Sequence, residues 1–468
     1  MIERIKTEII PVKQQFVGVK GKLDLKAICT FAATGFFLDD DTYFLNQKVL
    51  KPAREYILKN NSVISENQYF EWHYTPRYFN LDSAVKKFAE ILENTISEHS
   101  RNKRIILPLS GGLDSRSMAA ACFFLGSNVN AYSYEYLNGH KESEYGEKIS
   151  KECNFGFKPW KIPKGYLWKC LDLLADLNQC YTDFLNPRSM AFHDLYADLG
   201  DIFLLGHGGN HYDDLNVSDQ LDEDEQVVEI TKMIVKKGGL ELADMLWKNW
   251  NIEGNFGDYF RERVFELIKR NNIKNSAKAQ IRAFKSMNYY PRWTSVNLQV
   301  FSSVRPIILP FYSNELCEFL CKVDHKLLAG RKLHIEYIKL RAPNLGYITW
   351  QNKRPYNLYN YFDNNHLKDY FIKALSGSHS TVRKIIGKRV IQRNWELQLI
   401  GHENDINLRH FLFANKSLQK LLPLEVANYF YQKFRNGNYK EKVFYSHPVA
   451  MLLTLSMFAE REDKTLKK

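Results

Sequence analysis

The stretch Arg104–Ser117, which reads RIILPLSGGLDSRS, decides the fold class. It begins with a compact apolar run that has the length of a buried strand. Ser110-Gly111-Gly112 follows directly, and glycines at such a place let the backbone turn sharply and approach a ligand closely. From Asp114 onward the apolar residues recur at helical spacing until Gly126. The stretch therefore predicts a strand, a glycine turn and a helix.

The residues of this turn suit a phosphate group. The N–H groups at the start of a helix lack intrahelical partners and point outward, which favours phosphate oxygens. Ser110 and Ser115 add hydroxyl donors, and Asp114 can bind Mg²⁺ through oxygen. The turn is not a Walker A loop, because no Gly-Lys-Ser/Thr triplet ends it. A Gly-Gly turn with a purely structural role is the alternative.

Further apolar runs place this turn in a larger sheet. Val129–Tyr134 and Ile202–Leu205 have the length of buried strands, and Trp160–Ile162 is a shorter candidate. Strands joined by a helix of this length pair in parallel, and such sheets bind ligands at the carboxyl ends of their strands, where Ser110 falls. We expect an α/β protein with a twisted parallel sheet and helices on both faces, followed by a helical carboxyl-terminal extension.

The hexapeptide SGGLDS, Ser110–Ser115, resembles the SGGxDS loop of the ATP pyrophosphatases, and most closely that of the asparagine synthetase family. The resemblance implies an adenine nucleotide α-hydrolase-like fold with ATP and Mg²⁺ as ligands. It implies that the loop grips the pyrophosphate part of ATP while the α-phosphate is attacked. The candidate nucleotide-binding residues are Leu109, Ser110, Gly111, Gly112, Asp114, Ser115, Gly206 and Gly208, with Asp114 also at the metal.

A second loop, GHGGNHYDD, begins at Gly206. It resembles the second signature loop of asparagine synthetases, usually Gly-Glu-Gly-Ser/Ala-Asp-Glu, with His207 and Asn210 at the acidic positions. In the family the glutamate helps to form the adenylated intermediate and the aspartate binds Mg²⁺. A neutral histidine can act as a general base, so His207 is our catalytic candidate. Asp213 or Asp214 would then take over the metal.

A zinc site made by His207, His211 and Asp213 is a weaker alternative. Histidines at i and i+4 form a ligand pair only on a helix, and the glycines predict a loop.

A cation beside the phosphates is expected near residue 332. The run Arg331–Tyr337, RKLHIEY, resembles the lysine-containing helix start that brings a cation to the phosphates in the family. Lys332 is our first choice and Arg331 the second, and Lys353-Arg354 stands where the family carries a further basic pair. A cation there would neutralise charge that builds on the leaving pyrophosphate. A surface lysine without a catalytic role is the alternative.

Residues 1–78 are expected to form a small amino-terminal region. Its run from Ala33 to Pro52 resembles the seam that closes the glutaminase domain of asparagine synthetases. We expect no glutamine hydrolysis, because position 2 is Ile where the family has its cysteine nucleophile, and the internal Cys29 cannot supply a free α-amino group.

The resemblance implies that the rest of the chain is a synthetase domain, residues 79–355, with a helical carboxyl-terminal part, residues 356–468. The acidic run Asp39-Asp40-Asp41 lacks the further ligands of a calcium loop, so we expect a solvated turn. Val382–Arg393 is a cationic helix candidate whose expected role is a solvated face.

Composition narrows the functional classes. The 468 residues include 45% hydrophobic residues, as in ordinary globular proteins, and the formal charge of +12 favours anionic partners. The sequence has no RRM, KH or zinc-finger pattern, so no specific nucleic-acid partner is expected. The seven cysteines form no CxxC pair, and Cys317 and Cys321 are expected in the core. No signal peptide and no apolar run of about 18 residues is visible, so we expect a cytoplasmic protein without a transmembrane segment.

The resemblance implies an ATP-dependent ligase that forms a carbon–nitrogen bond. A substrate carboxylate is adenylated, pyrophosphate leaves, and ammonia or an amine then displaces AMP. The acid can be a small molecule, a sugar acid or a peptide, and the nitrogen can come from free ammonia, from a separate donor protein or from the substrate itself. Two alternatives remain open: an ATP-binding pseudoenzyme that acts as an assembly subunit, and a tRNA-modifying ATP pyrophosphatase.

Overall fold

The computed structural model describes residues 2–213, 215–271, 273–362 and 390–466. Most of the predicted Val382–Arg393 segment, and Asp214, lie outside these residues. Within them the strands are β1 Ile2–Lys6, β2 Phe16–Gly18, β3 Gln47–Val49, β4 Arg54–Lys59, β5 Ser62–Gln68, β6 Ile105–Pro108, β7 Val129–Tyr136, β8 Gly156–Ile162, β9 Ile202–Leu204 and β10 Ile307–Ile308.

Helices make up most of the remaining structure. The α-helices are α1 Leu25–Thr34, α2 Leu81–Ser100, α3 Leu113–Phe124, α4 Ser143–Glu152, α5 Tyr166–Asn178, α6 Glu223–Ile234, α7 Gly239–Asn249, α8 Phe256–Lys269, α9 Ala277–Phe284, α10 Ser295–Asn297, α11 Gln299–Ser302, α12 Asn314–Cys321, α13 His325–Leu328, α14 Lys332–Arg341, α15 Pro343–Tyr347, α16 Asn394–Gln398, α17 His402–Arg409, α18 Lys416–Leu421, α19 Leu424–Asn436 and α20 Tyr439–Leu466. Two further helical segments are a 3₁₀ segment at Arg188–Asp198 and a π-helical segment at Lys285–Thr294.

A five-stranded parallel sheet forms the centre of the molecule. Its strand order is β10-β9-β6-β7-β8, and every neighbouring pair is parallel. The expected α/β class and the parallel sheet are therefore confirmed. Strands β6, β7 and β9 fall on the predicted apolar runs, whereas β8 begins at Gly156, earlier than predicted.

Helical segments cover both faces of this sheet. Successive side chains of a strand point to opposite faces. In β7, Ser133 faces α4, where a Cβ on Gly146 would lie 3.2 Å from the Ser133 Cβ. Tyr132 points the other way and contacts Tyr196 of the 3₁₀ segment, with ring centroids 5.4 Å apart. Burial of both faces explains why the central strands β6 and β9 are short apolar runs.

The acidic turn Asp39–Asp41 is largely covered by basic side chains, so the expectation of a solvated turn was wrong. The Asp39 and Asp41 side chains are each 10% exposed, and Arg263 of α8 pairs with them at 3.2 and 3.3 Å. Arg292 donates to the main-chain carbonyls of both aspartates at 3.1 and 2.6 Å. These basic partners are 222 to 253 residues further along the chain, and no local pattern reveals them.

One apolar core joins the three regions expected from the sequence. It includes Phe31 of the amino-terminal region, Leu107 of the sheet and Phe458 of the last helix. Cys317 and Cys321 are buried in it, as predicted. Among the described residues, no helix is both long enough and apolar enough to cross a bilayer.

The buried ion pairs of Asp39 predict a specific loss of stability. Burial would raise the pKa of Asp39, but the charges of Lys51, Arg270 and Arg263 outweigh it and lower the pKa. Asp39→Asn should reduce the free energy of unfolding by about 2 kcal/mol, because the partly buried Arg263 then keeps only part of the carboxylate charge that balances it. Urea unfolding near neutral pH measures this change. Glu55→Gln removes an exposed acid instead and should cost under about 1 kcal/mol, and equal effects of the two variants would contradict the prediction.

Candidate functional site

The two glycine-containing loops meet at a cavity of about 480 Å³ over the carboxyl ends of β6, β7 and β9. The predicted residues that line it are Leu109, Ser110, Asp114, Ser115, Gly206, His207, Gly208 and Asn210. The other wall comes from β7, the 3₁₀ segment and the π-helical segment, and includes Tyr134, Arg188, Tyr289, Tyr290 and Trp293. A cavity at this edge of a parallel sheet is the expected ligand site of such a fold.

The first loop has the geometry that its sequence predicts. The Ser110 N–H donates to the Ser115 Oγ at 3.1 Å, and the Gly112 N–H lies 3.3 Å from the Ser110 Oγ, which accepts from it. Helix α3 begins at Leu113, and no side chain caps its first turn. The N–H groups of that turn are therefore available to an anion in the cavity.

Two glycines are needed because neighbouring atoms are too close for a side chain. A Cβ on Gly111 would lie 2.6 Å from the Gln351 Cβ, and a Cβ on Gly206 would lie 2.9 Å from the Asp114 carbonyl carbon. Gly111 and Gly112 turn the chain and do not line the cavity. Gly206 lets the second loop lie directly against the main chain of the first.

Asp114 faces a cation, but the cation is Arg331 and not Lys332. The Arg331 guanidinium forms an ion pair with the Asp114 carboxylate, and the Arg331 side chain is 13% exposed. Arg331 has a φ of 63° at a kink directly before α14, which sends its side chain in a different direction from that of the next residue. The Lys332 Nζ instead donates to the Lys326 carbonyl at 3.2 Å, and Lys332 does not line the cavity.

The buried His334 connects the second loop to helix α3, and sequence analysis did not identify this role. Its Nε2 lies 3.0 Å from the Gly209 carbonyl, which can only accept, so Nε2 carries the proton. The other ring nitrogen, Nδ1, then accepts from the Ser117 hydroxyl at 3.0 Å. Burial, with the nearby charge of Arg331, lowers the pKa of His334 well below 6.5, so the ring is neutral.

His207 lines the cavity and keeps its ring open to it. Desolvation by the surrounding protein, together with the positive charge of Arg188, lowers the pKa of His207 to about 4, so the ring is uncharged at neutral pH. Asn210 also lines the cavity, and the Tyr290 hydroxyl donates to its Oδ1 at 3.4 Å. Neither position carries a negative charge.

The metal candidates are not brought together. Asp114 lines the cavity, but Asp213 does not, and the Asp213 carbonyl accepts from Arg282 at 3.3 Å. His211 is buried against Ser286, 2.8 Å from its hydroxyl. Among the described residues, no three His, Cys, Asp or Glu side chains form a group that could hold a metal ion.

Comparisons with known proteins add no assignment. No family model matches this chain, and no curated protein matches it.

The buried neutral histidines predict acid sensitivity. Burial lowers the pKa of His211 and of His334 well below 6.5, so the unfolded chain binds more protons than the folded one in mildly acidic solution. The free energy of unfolding should therefore fall as the pH drops below about 6.5. Urea unfolding at several values between about pH 7 and pH 5 measures the slope. His334→Gln should be less stable at neutral pH but lose less on acidification, whereas the exposed His402→Gln should keep the wild-type slope. An unchanged slope in His334→Gln would contradict this.

The close contact between the two loops predicts that one added methyl group lowers the free energy of unfolding. Gly206→Ala would press a Cβ against the main chain of Asp114 and Ser115, which cannot turn aside as a flexible side chain can. We expect a loss of about 1–3 kcal/mol in the free energy of unfolding. Gly257→Ala in α8 is the matched control, because its Cβ would meet only the Asn255 Oδ1, at 3.4 Å. Equal stability of the two variants would show that the loops are not in close contact.

Proposed function

We propose that this protein is an ATP-dependent carbon–nitrogen ligase of the asparagine synthetase type, which activates a carboxylate as its acyl adenylate. The substrate carboxylate attacks the α-phosphate of ATP, forms a bond to AMP and releases pyrophosphate. Ammonia or an amine then attacks the acyl carbon, loses a proton and displaces AMP, which leaves an amide. The supporting observation is that Ser110–Ser115 lies at the carboxyl end of the central strand and opens onto a cavity.

The loop supplies the groups that this chemistry needs for pyrophosphate. Uncapped N–H groups at the start of α3 and the hydroxyls of Ser110 and Ser115 would bind phosphate oxygens. Arg331 would add positive charge where the leaving pyrophosphate gains negative charge. Because Arg331 contacts Asp114, which lines the cavity, and the Lys332 amine instead donates to the Lys326 carbonyl, Arg331 replaces Lys332 as our candidate for this role.

Magnesium fits this site only together with the nucleotide. Mg²⁺ in such enzymes is commonly held by one or two carboxylates and by substrate phosphates, so Asp114 suffices as the protein ligand. When bound, the ion would neutralise phosphate charge. Asp114 would then exchange its contact with Arg331 for one with the metal, which would leave the guanidinium free for the phosphates.

His207 would act on the amine in the second half of the reaction. A neutral imidazole can accept the proton that the attacking nitrogen loses. The lowered pKa keeps His207 unprotonated at neutral pH and also makes its ring a weak base. Orienting the nucleophile is therefore as important a contribution as proton transfer.

An assembly subunit that binds ATP without forming an intermediate is the second candidate. The neutral side chains at positions 207 and 210 favour it, because both family positions are acidic. Nucleotide binding and pyrophosphate release separate the two candidates.

Replacing the two loop serines tests the nucleotide site. Ser110→Ala/Ser115→Ala should weaken Mg-ATP binding at least about tenfold, because two hydroxyl donors to charged oxygens are lost. Equilibrium dialysis measures the affinity. Ser97→Ala, an exposed serine on α2, should bind as the wild type does.

Pyrophosphate release from Mg-ATP is then followed with a panel of aromatic, sugar and aliphatic acids. Release with any acid supports the ligase, and nucleotide binding without release across the panel favours the assembly subunit. A wild-type protein that binds no nucleotide would contradict both.

A further inference from the structure

Arg188 is a cationic side chain that lines the cavity, whereas Arg331 is connected to the cavity through its ion pair with Asp114. Its guanidinium carbon lies 5.6 Å from the centre of the Tyr134 ring, and its charge acts on His207. In the described part of the chain, Arg188 forms no ion pair with a carboxylate, although Glu142 lines the same cavity, and the phenols of Tyr134 and Tyr136 act on its charge. A partly buried guanidinium without a carboxylate partner is well suited to an anionic ligand.

The wall beside Arg188 is aromatic and offers a free donor. Tyr289 and Trp293 line the cavity and stack on each other, with ring centroids 5.4 Å apart and planes inclined by 20°. The Trp293 indole N–H is buried and has no acceptor among the described residues. Buried donors are nearly always paired, so an unpaired one in a cavity wall indicates a ligand acceptor.

Arg188 and the aromatic wall differ chemically from the first loop, Ser110–Ser115. The first loop offers N–H groups and hydroxyls, and Arg331 pairs with its Asp114, which together suit a highly charged, flexible chain of phosphates. Arg188 instead presents a planar fork that matches a carboxylate, next to flat apolar faces that match a ring. An indole N–H can donate only one hydrogen bond, which suits a hydroxyl or ether oxygen on that ring.

We propose that Arg188 binds the carboxylate of a ring-bearing acid, whose ring lies against Tyr134 and the Tyr289–Trp293 pair. The identification of this acid as the carboxylate to be adenylated rests on the proposed function. The ligand class is therefore a cyclic carboxylic acid, and sugar acids and aromatic acids share the required chemistry. Arg188 would also offset the repulsion between this carboxylate and the phosphates nearby.

Binding of simple probe acids tests the inference. The probes are benzoate and D-glucuronate, each compared with its uncharged methyl ester, and titration calorimetry measures the affinity with and without α,β-methylene-ATP. Arg188→Gln should weaken binding of the acid at least about tenfold, because a bidentate charged pair is lost. Arg188→Lys keeps the charge without the fork and should lie between the wild type and Arg188→Gln. Arg101→Gln, at the opposite edge of the sheet, should bind as the wild type does.

Each result has a definite meaning. Binding of benzoate alone assigns an aromatic acid, and binding of D-glucuronate alone assigns a sugar acid. The proposal is overturned if neither acid binds the wild type, if the esters bind as well as the acids, or if Arg188→Gln keeps full affinity for the acid. It is also overturned if Arg188→Gln weakens binding of the nucleotide analogue as much as that of the acid, because Arg188 then belongs to the nucleotide site.

Failure of this inference can be told apart from failure of the proposed function. Nucleotide binding that persists without Arg188-dependent acid binding removes the acid subsite and leaves the nucleotide site standing. Arg188-dependent acid binding in a protein that binds no nucleotide supports the anion subsite and removes the ligase.

Discussion

The buried guanidinium of Arg116 is the contact on which the conformation of the first loop, Ser110–Ser115, depends. Arg116 is fully buried, and its two amino groups donate to the carbonyls of Gly111, Leu345, Ile348 and Thr349. Burial lowers the pKa of Arg116 to about 10, which still leaves it charged at neutral pH. A buried charge is tolerated only when polar groups surround it, so the loop and the distant 345–349 segment stabilise each other's conformation. The glycine turn alone would not fix the loop in place.

The position of the second loop is fixed by its contacts with the first loop and with helix α3. Gly206 brings the two main chains into contact, and His334 connects Gly209 to Ser117 of α3. One connection requires the absence of a Cβ at Gly206, and the other runs through the His334 ring from the Gly209 carbonyl to the Ser117 hydroxyl. Together they place His207 and Ser110 on one cavity although these residues are far apart in sequence.

Sequence reasoning succeeded where the signal is local and failed where it is not. The strand β6, the glycine turn and α3 follow from an apolar run, two glycines and helical spacing within one short stretch. The choice between Arg331 and Lys332 depends instead on a left-handed residue at a kink, which no spacing predicts. No sequence pattern indicates that Arg188 lines the cavity, because a single arginine within a 3₁₀ segment resembles any surface arginine. The prediction of a solvated acidic turn was wrong for the same reason, since Arg263 and Arg270, which cover it together with the nearby Lys51, come from a distant part of the chain.

The distribution of charge around the cavity has a physical consequence for any reaction between two anions. A carboxylate and a triphosphate repel each other, and the repulsion grows as both leave water for a confined site. A net charge of +12 spread over the surface does little to offset it, because salt screens charges beyond about 10 Å. What counts is positive charge beside each anion, and here Arg331 lies at the loop while Arg188 lies at the aromatic wall. A glutamate at position 207 would face Arg188 and cancel part of that charge, whereas the neutral His207 leaves it available to a ligand.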